Sequence, residues 1–250
     1  MFIDETHSTS SLLRETYDDS LPHLFTIRTD FQTAGRGQAG NSWESERGKN
    51  LLFSALLRYN DLYAVEQWRL SMLVAVALWD VLAKYLPESQ LRIKWPNDVY
   101  FGDKKLVGIL IENSLSGKYV GYSIVGIGVN INQTQWLSNA PNPISMKEIS
   151  GREYDAEMLM NHWITSVQSW EMRTTDEIKM AYHQRLYRRN GWYEYVEREV
   201  NLTPTAIAQR GTEDSFLAEI VDVTKQGELV LRLQNNEEKI YHFKQIRFVI

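Results

Sequence analysis

Ala34-Gly35-Arg36-Gly37-Gln38-Ala39-Gly40-Asn41-Ser42-Trp43 places three glycines within six residues. Such a backbone can take positive φ and come close to a ligand. Arg36 offers a planar fork of donors matched to carboxylate or phosphate, and Trp43 offers a flat stacking surface. A surface turn can have the same composition, so the segment after the loop decides its meaning. A dinucleotide-binding fingerprint opens directly into a helix, whereas here the chain runs into an apolar strand pattern, Asn50 to Arg58. The loop therefore reads as a ligand cover between strands, not as a Rossmann phosphate turn.

On either side of it, Phe25 to Phe31 and Leu51 to Leu57 read as strands. Ser8-Thr9-Ser10-Ser11 before Leu12-Leu13-Arg14-Glu15 is an N-cap cluster opening a short helix. Leu70 to Leu86 is apolar on nearly every face, which marks a centrally buried helix. Arg92-Ile93-Lys94-Trp95 runs into Pro96, which favours extended geometry at Trp95. Val99-Tyr100-Phe101 and Leu106 to Glu112 flank Gly102-Asp103-Lys104, a hairpin signal, and Tyr119 to Asn132 forms a further strand. Ala156 to Glu171 and Thr175 to Arg189 read as helices. Beyond Asn190-Gly191 the pattern changes to short alternating runs, Phe216 to Ile220 and Leu229 to Leu233, separated by Lys225-Gln226-Gly227. Closely spaced short strands suggest a small β-barrel.

The 250 residues are 43% hydrophobic and 24% charged, values of an ordinary globular chain rather than a disordered one. That length suits one sizeable domain, or one with a small appendix. A net charge of −5 gives no electrostatic footprint for nucleic acid. The chain has no cysteine, which excludes a disulfide framework, a thiolate zinc site and a cysteine nucleophile. Met1 to Glu5 lacks a signal-peptide pattern, and Leu70 to Leu86, broken by Asp80 and Lys84, is too short and mixed to span a bilayer. The expectation is a soluble, cytoplasmic protein with neither nucleic acid nor membrane as partner. The five histidines, at positions 7, 23, 162, 183 and 242, show no metal-ligand spacing.

Ile124-Val125-Gly126-Ile127-Gly128-Val129-Asn130-Ile131-Asn132 is the sharpest strand. Side chains alternate between faces, so Val125, Ile127, Val129 and Ile131 share an apolar face. The other face reads Gly126, Gly128, Asn130, Asn132. Glycine inside a strand marks a bulge, or close approach of a ligand or another backbone, and the two amides beyond the glycines suit a ligand floor with polar specificity at one end. Lys94-Trp95-Pro96-Asn97-Asp98 sets a cation, an amide and a carboxylate around a fixed turn, although Asn-Asp after proline is also plain turn chemistry. Lys105, after the hairpin turn, is a solvated strand-start charge or a site group. Arg185, Arg188 and Arg189 complement a helix C-terminus, with phosphate binding as the lesser reading.

In this order, Ser8-Thr9-Ser10, Gly35-Arg36-Gly37 with Trp43, Lys94-Trp95-Pro96-Asn97-Asp98, Lys105-Leu106-Val107-Gly108-Ile109-Leu110 and Gly126-Ile127-Gly128-Val129-Asn130 closely resemble the biotin protein ligases. The resemblance covers most of the chain, and the lysine-tryptophan-proline-asparagine-aspartate segment is its most specific part. It implies an α+β fold. Residues 1 to 190 would form a catalytic domain, a mixed β-sheet flanked by helices and related to class II aminoacyl-tRNA synthetases. Residues 191 to 250 would form a small SH3-like β-barrel.

The resemblance also implies a reaction. Biotin and ATP form biotinyl-5′-adenylate and pyrophosphate, and a lysine of a biotin carboxyl carrier protein then attacks the adenylate. Ser8, Thr9, Ser10, Gln32, Gly35 and Arg36 would line the biotin end, with Gly108, Leu110, Gly126 and Gly128 as its walls. Trp43 would cover the adenine and Asn130 read its edge, while Gln38, Asn97 and Asp98 would serve the phosphates and the incoming lysine. Lys105 would be the central catalytic group, with Arg36 and Asp98 beside it, neutralising the biotin carboxylate and the α-phosphate. Magnesium is implied by the ATP chemistry, with no ligands singled out, and the chain could act as a monomer or a homodimer.

Two departures stand out against the family pattern. Ser10 replaces the usual asparagine of Ser-Thr-Asn, and Gln38 stands where many bacterial members carry arginine, so one phosphate-pairing charge is missing. The pattern starts within ten residues of Met1, which leaves no room for an N-terminal winged helix and suggests a monofunctional ligase. Two alternatives remain open. A lipoate–protein ligase would share the fold and the adenylation, but its arginine-arginine and triple-glycine signature is missing. A biotin-sensing regulator without ligase activity would not need Lys105.

Overall fold

The computed structural model describes residues 1–136, 142–198 and 215–250. Its main layer is a seven-stranded sheet of β1 (Phe2–Thr6), β2 (Thr26–Gln32), β3 (Leu51–Arg58), β4 (Leu91–Lys94), β5 (Asp98–Phe101), β6 (Lys104–Ser116) and β7 (Tyr119–Val129). The spatial order is β1-β2-β3-β7-β6-β5-β4. β1 runs parallel to β2, and all other neighbours are antiparallel. The alternation of side chains gives this sheet two different faces. Leu51, Phe53, Ala55 and Leu57 of β3 join Val125, Ile127 and Val129 of β7 in the larger core. That core lies beneath α2 (Trp68–Leu82), α4 (Ala156–Glu171) and α5 (Thr175–Gln184). Leu56 and Ile124 point the opposite way and pack with Leu13 of α1 (Thr9–Glu15) and Ile27 in a second, smaller core.

Local chemistry accounts for three of the helix starts, while Ser8 and Gln67, at the N-caps of α1 and α2, make no side-chain capping bond. The Asp155 carboxylate caps α4, accepting from the Met158 amide at 2.7 Å. Thr174 and Glu177 form a capping box on α5, and Ser145 and Glu148 form another on the short α3 (Met146–Ser150). The expected helix to Arg189 stops at Gln184. There the chain leaves the helix to hydrogen-bond the outer edge of β4, with the Ile93 amide donating to Arg185 O and the Tyr187 amide to Ile93 O, both at 2.8 Å. Arg185 is the C-cap residue of α5. It pairs with Asp80 at 2.9 Å and stacks over Trp79. Strand β1 escapes the alternation signal because Phe2-Ile3-Asp4-Glu5-Thr6 is a largely exposed edge.

The C-terminal part is an antiparallel sheet of β8 (Tyr193–Glu197), β9 (Ser215–Val223), β10 (Leu229–Leu233), β11 (Glu238–Tyr241) and β12 (Ile246–Phe248). Its order is β11-β10-β9-β8-β12. The expected closed barrel is thus corrected to an open sheet among the described residues, since no ladder joins the two edge strands β11 and β12. This sheet packs against the main unit through a tight contact. Trp95 Nε1 donates to Gly227 O at 2.9 Å, and the Trp68 ring lies where a side chain at Gly227 would have to be. Among the described residues no helix is long and apolar enough to cross a membrane.

Candidate active site

The smaller face of the main sheet and the edge of the C-terminal sheet enclose a cleft of about 1100 Å³. Its floor is the β6–β7 ladder, where Gly108 pairs with Gly128 and Leu110 with Gly126. The bare surface of Gly108 and Gly128 receives the Trp43 indole. A Cβ on Gly108 would lie 2.6 Å from Trp43 Cζ3, and one on Gly128 2.7 Å from Cζ2 and Nε1. A Cβ on Gly126 would collide with Ser10 Oγ instead. The glycine face read from the sequence therefore serves close approach, by Trp43 at one end and by α1 at the other.

At the α1 end, buried hydroxyls form a chain. Gln32 Oε1 accepts from the Thr9 amide at 2.8 Å and from Thr9 Oγ1 at 3.1 Å. Thr9 Oγ1 bonds Ser54 Oγ at 2.8 Å, which bonds Ser10 Oγ at 2.9 Å. Ser8, at the N-cap of α1, is also buried and lines the cleft. Ser54 is not among the residues expected at the site, although a lone serine within Leu51-Leu52-Phe53-Ser54-Ala55-Leu56-Leu57 is a detectable signal.

The loop at 35–43 is a closed hairpin. The Trp43 amide donates to Gly35 O at 2.9 Å, the Gly37 amide to Asn41 O at 2.6 Å, and Gly40 takes φ +88°. Gly35 has no room for a side chain against the Trp43 carbonyl. Of the first two glycines, then, neither uses positive φ, and Gly35 serves backbone contact. Gln38 opens a short 3₁₀ turn on the cleft wall. Arg36 lines the cleft but spends its fork on Glu112, at 2.7 and 3.2 Å, and reaches Ser11 Oγ at 3.3 Å. Arg14 grips the same carboxylate at 2.7 Å. Burial works to raise the Glu112 carboxyl, but the two guanidiniums outweigh it and hold the group below its ordinary value. Neither Glu112 nor Arg14 is expected at the site from the sequence, and only the topology brings them together.

Lys105 and Leu110 would face opposite ways on a regular strand. A bulge reconciles them. Val99 pairs with Val107, yet Tyr100 pairs with Lys105, so Leu106 is an extra residue on β6. As a result Lys105 Cε lies 3.4 Å from where a Gly108 Cβ would be, and its Nζ binds Asp98 at 2.8 Å. The same ammonium is 5.8 Å from the centre of the Trp43 ring.

Asn97 and Asn130 are both buried and both serve the backbone. Asn97 Nδ2 donates to Ile109 O, and Asn130 Nδ2 to Lys105 O at 3.3 Å and Ile144 O at 3.2 Å. Asn97 lines the cleft; Asn130 and Gly35 do not. Lys94, at the end of β4, points its ammonium between the rings of Tyr100, at 5.2 Å, and Phe248, at 4.5 Å. Burial pushes Lys94 down, and the nearby Asp98 carboxylate opposes this.

A hydroxyl and amide chain, a glycine floor covered by an indole, and an ammonium–carboxylate pair thus line one cleft. Residues 2–130 match the model of the biotin/lipoate A/B protein ligase family. The chain is 33% identical over 213 residues to the biotin–[acetyl-CoA-carboxylase] ligase of Paracoccus denitrificans, an alignment covering 80% of this chain and 81% of that one. It is 28% identical over 247 residues to the bifunctional ligase/repressor BirA of Bacillus spizizenii, covering 96% of this chain and 71% of the relative. Among solved structures, the biotin protein ligase of Aquifex aeolicus in complex with biotin and ATP superposes with a TM-score of 0.72 at 21% identity. That superposition covers 100% of this chain and 98% of the other.

Proposed function

The chain belongs to the biotin/lipoate A/B protein ligase family, and from that membership we propose that it is an ATP-dependent biotin–protein ligase. It joins biotin to ATP as biotinyl-5′-adenylate and passes the biotinyl group to a lysine of a biotin carboxyl carrier domain. The observation that carries this proposal is the position of Lys105, held by Asp98 at 2.8 Å directly over Gly108 on the floor of the cleft.

In the first step a biotin carboxylate oxygen bonds the α-phosphorus of ATP, the bond from that phosphorus to the bridging oxygen breaks, and pyrophosphate departs. Negative charge builds on the α-phosphate oxygens. A fixed ammonium aimed at that charge stabilises the transition state, typically by roughly 3–4 kcal/mol per donor. Lys105 has this role. The Thr9–Ser54–Ser10 chain and Gln32 give the biotin end its hydrogen-bond partners, with Leu110 lining the cleft; Gly108 and Gly128 serve as the seat of the Trp43 ring, and Gly126 as the seat of Ser10. Trp43 offers its ring to the adenine. Asn130 acts one step removed, through the Lys105 carbonyl.

In the second step the carrier amine attacks the acyl carbon, the bond to the phosphate oxygen breaks, and AMP leaves. To Asp98, paired with Lys105, we assign the proton that the amine loses. Arg36, bound to Glu112, holds the covering loop in place over the adenylate.

Among the described residues no three acidic or histidine side chains gather as a metal cage. Asp98 is engaged by Lys105, and Asp103 accepts from the Tyr187 hydroxyl. Magnesium binds readily through phosphates with few protein ligands, so we assign its entry to the ATP phosphates rather than to a preformed protein site. The acidic net charge favours protein and small-molecule partners over nucleic acid, and the absence of cysteine suits the cytoplasm. We assign catalysis to residues 1–190 and the closing wall of the cleft to the described residues of 191–250.

Biotin-dependent exchange of labelled pyrophosphate into ATP tests the adenylation. Exchange that requires biotin and is not supported by lipoate is expected; exchange with lipoate alone, or none with biotin, contradicts the proposal.

A further inference from the structure

Asp98, which holds Lys105, stands at the end of a turn, residues 95–97, that joins β4 to β5 and lies outside their ladder. Each residue of the turn is tied to a different part of the molecule. Trp95 Nε1 donates to Gly227 O in the turn between β9 and β10, and Asn97 Nδ2 donates to Ile109 O on β6. Pro96 O accepts from the Tyr182 hydroxyl at 3.1 Å.

Tyr182 belongs to α5 and is fully buried. Phenylalanine would fill the same space without burying a polar group, so what the hydroxyl adds is its bond to Pro96 O. The surroundings fix its aim. Just beyond Tyr182 the chain is stitched to β4 by the Ile93–Arg185 and Tyr187–Ile93 backbone bonds. On the other side its ring meets the Trp68 ring edge-on, with centroids 6.0 Å apart, and Trp68 lies against Gly227. Burial first, and then the Asp98 carboxylate, push the hydroxyl far above its ordinary value, so it remains protonated and able to donate.

We propose that Tyr182 is a positioning residue for the ligase reaction: its hydrogen bond fixes Pro96, and with it the Asp98 carboxylate that holds the Lys105 ammonium. Tyr182 does not line the cleft, so its effect travels through the turn. A small displacement of a reacting group slows chemistry steeply, and it leaves substrate binding nearly intact when the binding contacts lie elsewhere. Here those contacts are on α1, the 35–43 loop and the glycine floor. This assignment rests on the ligase reading above.

The test is single-turnover transfer from preformed biotinyl-5′-adenylate to a biotin carboxyl carrier domain, with each rate expressed per adenylate-binding site. It compares the full chain as wild type, Tyr182→Phe, Asp98→Asn and the double variant. Tyr182→Phe should slow transfer about tenfold, while the steady-state KM values for biotin and ATP stay within about twofold of wild type. In the Asp98→Asn background the same substitution should cost less than about twofold, because residues that act through one group are not additive. An unchanged rate per site in Tyr182→Phe overturns the proposal. So does an equal slowing in both backgrounds, the mark of a buried hydroxyl that serves stability alone. Wild type that labels no carrier overturns the ligase reading and this assignment with it, whereas an active wild type matched by Tyr182→Phe overturns this assignment alone.

Discussion

The Trp43 indole occupies the space that a side chain at residue 128 would need, 2.7 Å from the position of a Gly128 Cβ. The loop and the β7 strand are therefore fitted to each other, and the ring cannot take this position over anything larger than glycine. Gly128→Ala should displace Trp43, with an overpacking cost of about 1–3 kcal/mol and a raised ATP KM. Denaturant unfolding and steady-state kinetics read the two effects. Wild-type stability together with wild-type KM would show that the loop does not rest on this floor.

Glu112 binds Arg36 and Arg14 together, and through Arg36 it fixes the loop. Glu112→Gln keeps the shape and removes the charge, so biotin and its adenylate should dissociate several-fold faster. The pair also contributes to acid stability. The folded carboxyl is held below its ordinary value of 4.5, so its stabilisation is complete above that value and is lost as the pH falls through the depressed folded one. Thermal unfolding from pH 7 to pH 3 should therefore show a shallower acid decline in Glu112→Gln than in wild type. Identical acid limbs would mean that the two arginines contribute nothing through Glu112.

Gln38 faces the cleft without charge. Gln38→Arg adds a guanidinium near the phosphate and should slow release of the adenylate about tenfold, the effect of one charge-assisted hydrogen bond. An unchanged release rate, measured by trapping the free adenylate, would rule out phosphate contact at this position.

Much of this was legible in the sequence because it depends on local pattern. The alternation in Ile124 to Asn132 identifies the core residues Val125, Ile127, Val129 and Ile131, while of the opposite face only Gly126 and Gly128 line the cleft; α4 and β10 begin and end where their patterns do. The rest depends on tertiary contact. The bulge at Leu106 is invisible to period-2 counting, yet it alone brings Lys105 to the face of Gly108 and Leu110. Arg36 carried the right chemistry for a ligand anion, and the fold gives it Glu112, a residue 76 positions away. Asn130 sat on the expected face but bonds the backbone, because a buried amide takes the nearest carbonyls. The closed barrel failed as an expectation because strand spacing reports the number of strands, while closure depends on whether the edges meet.

Transfer of labelled biotin from biotin plus ATP onto a biotin carboxyl carrier domain, by wild type and by Lys105→Met, probes the proposed chemistry as a whole. Wild type should label the carrier lysine only when ATP is present, and Lys105→Met should do so about two to three orders of magnitude more slowly while remaining folded. No labelling by wild type, or near-normal labelling by Lys105→Met, would contradict it.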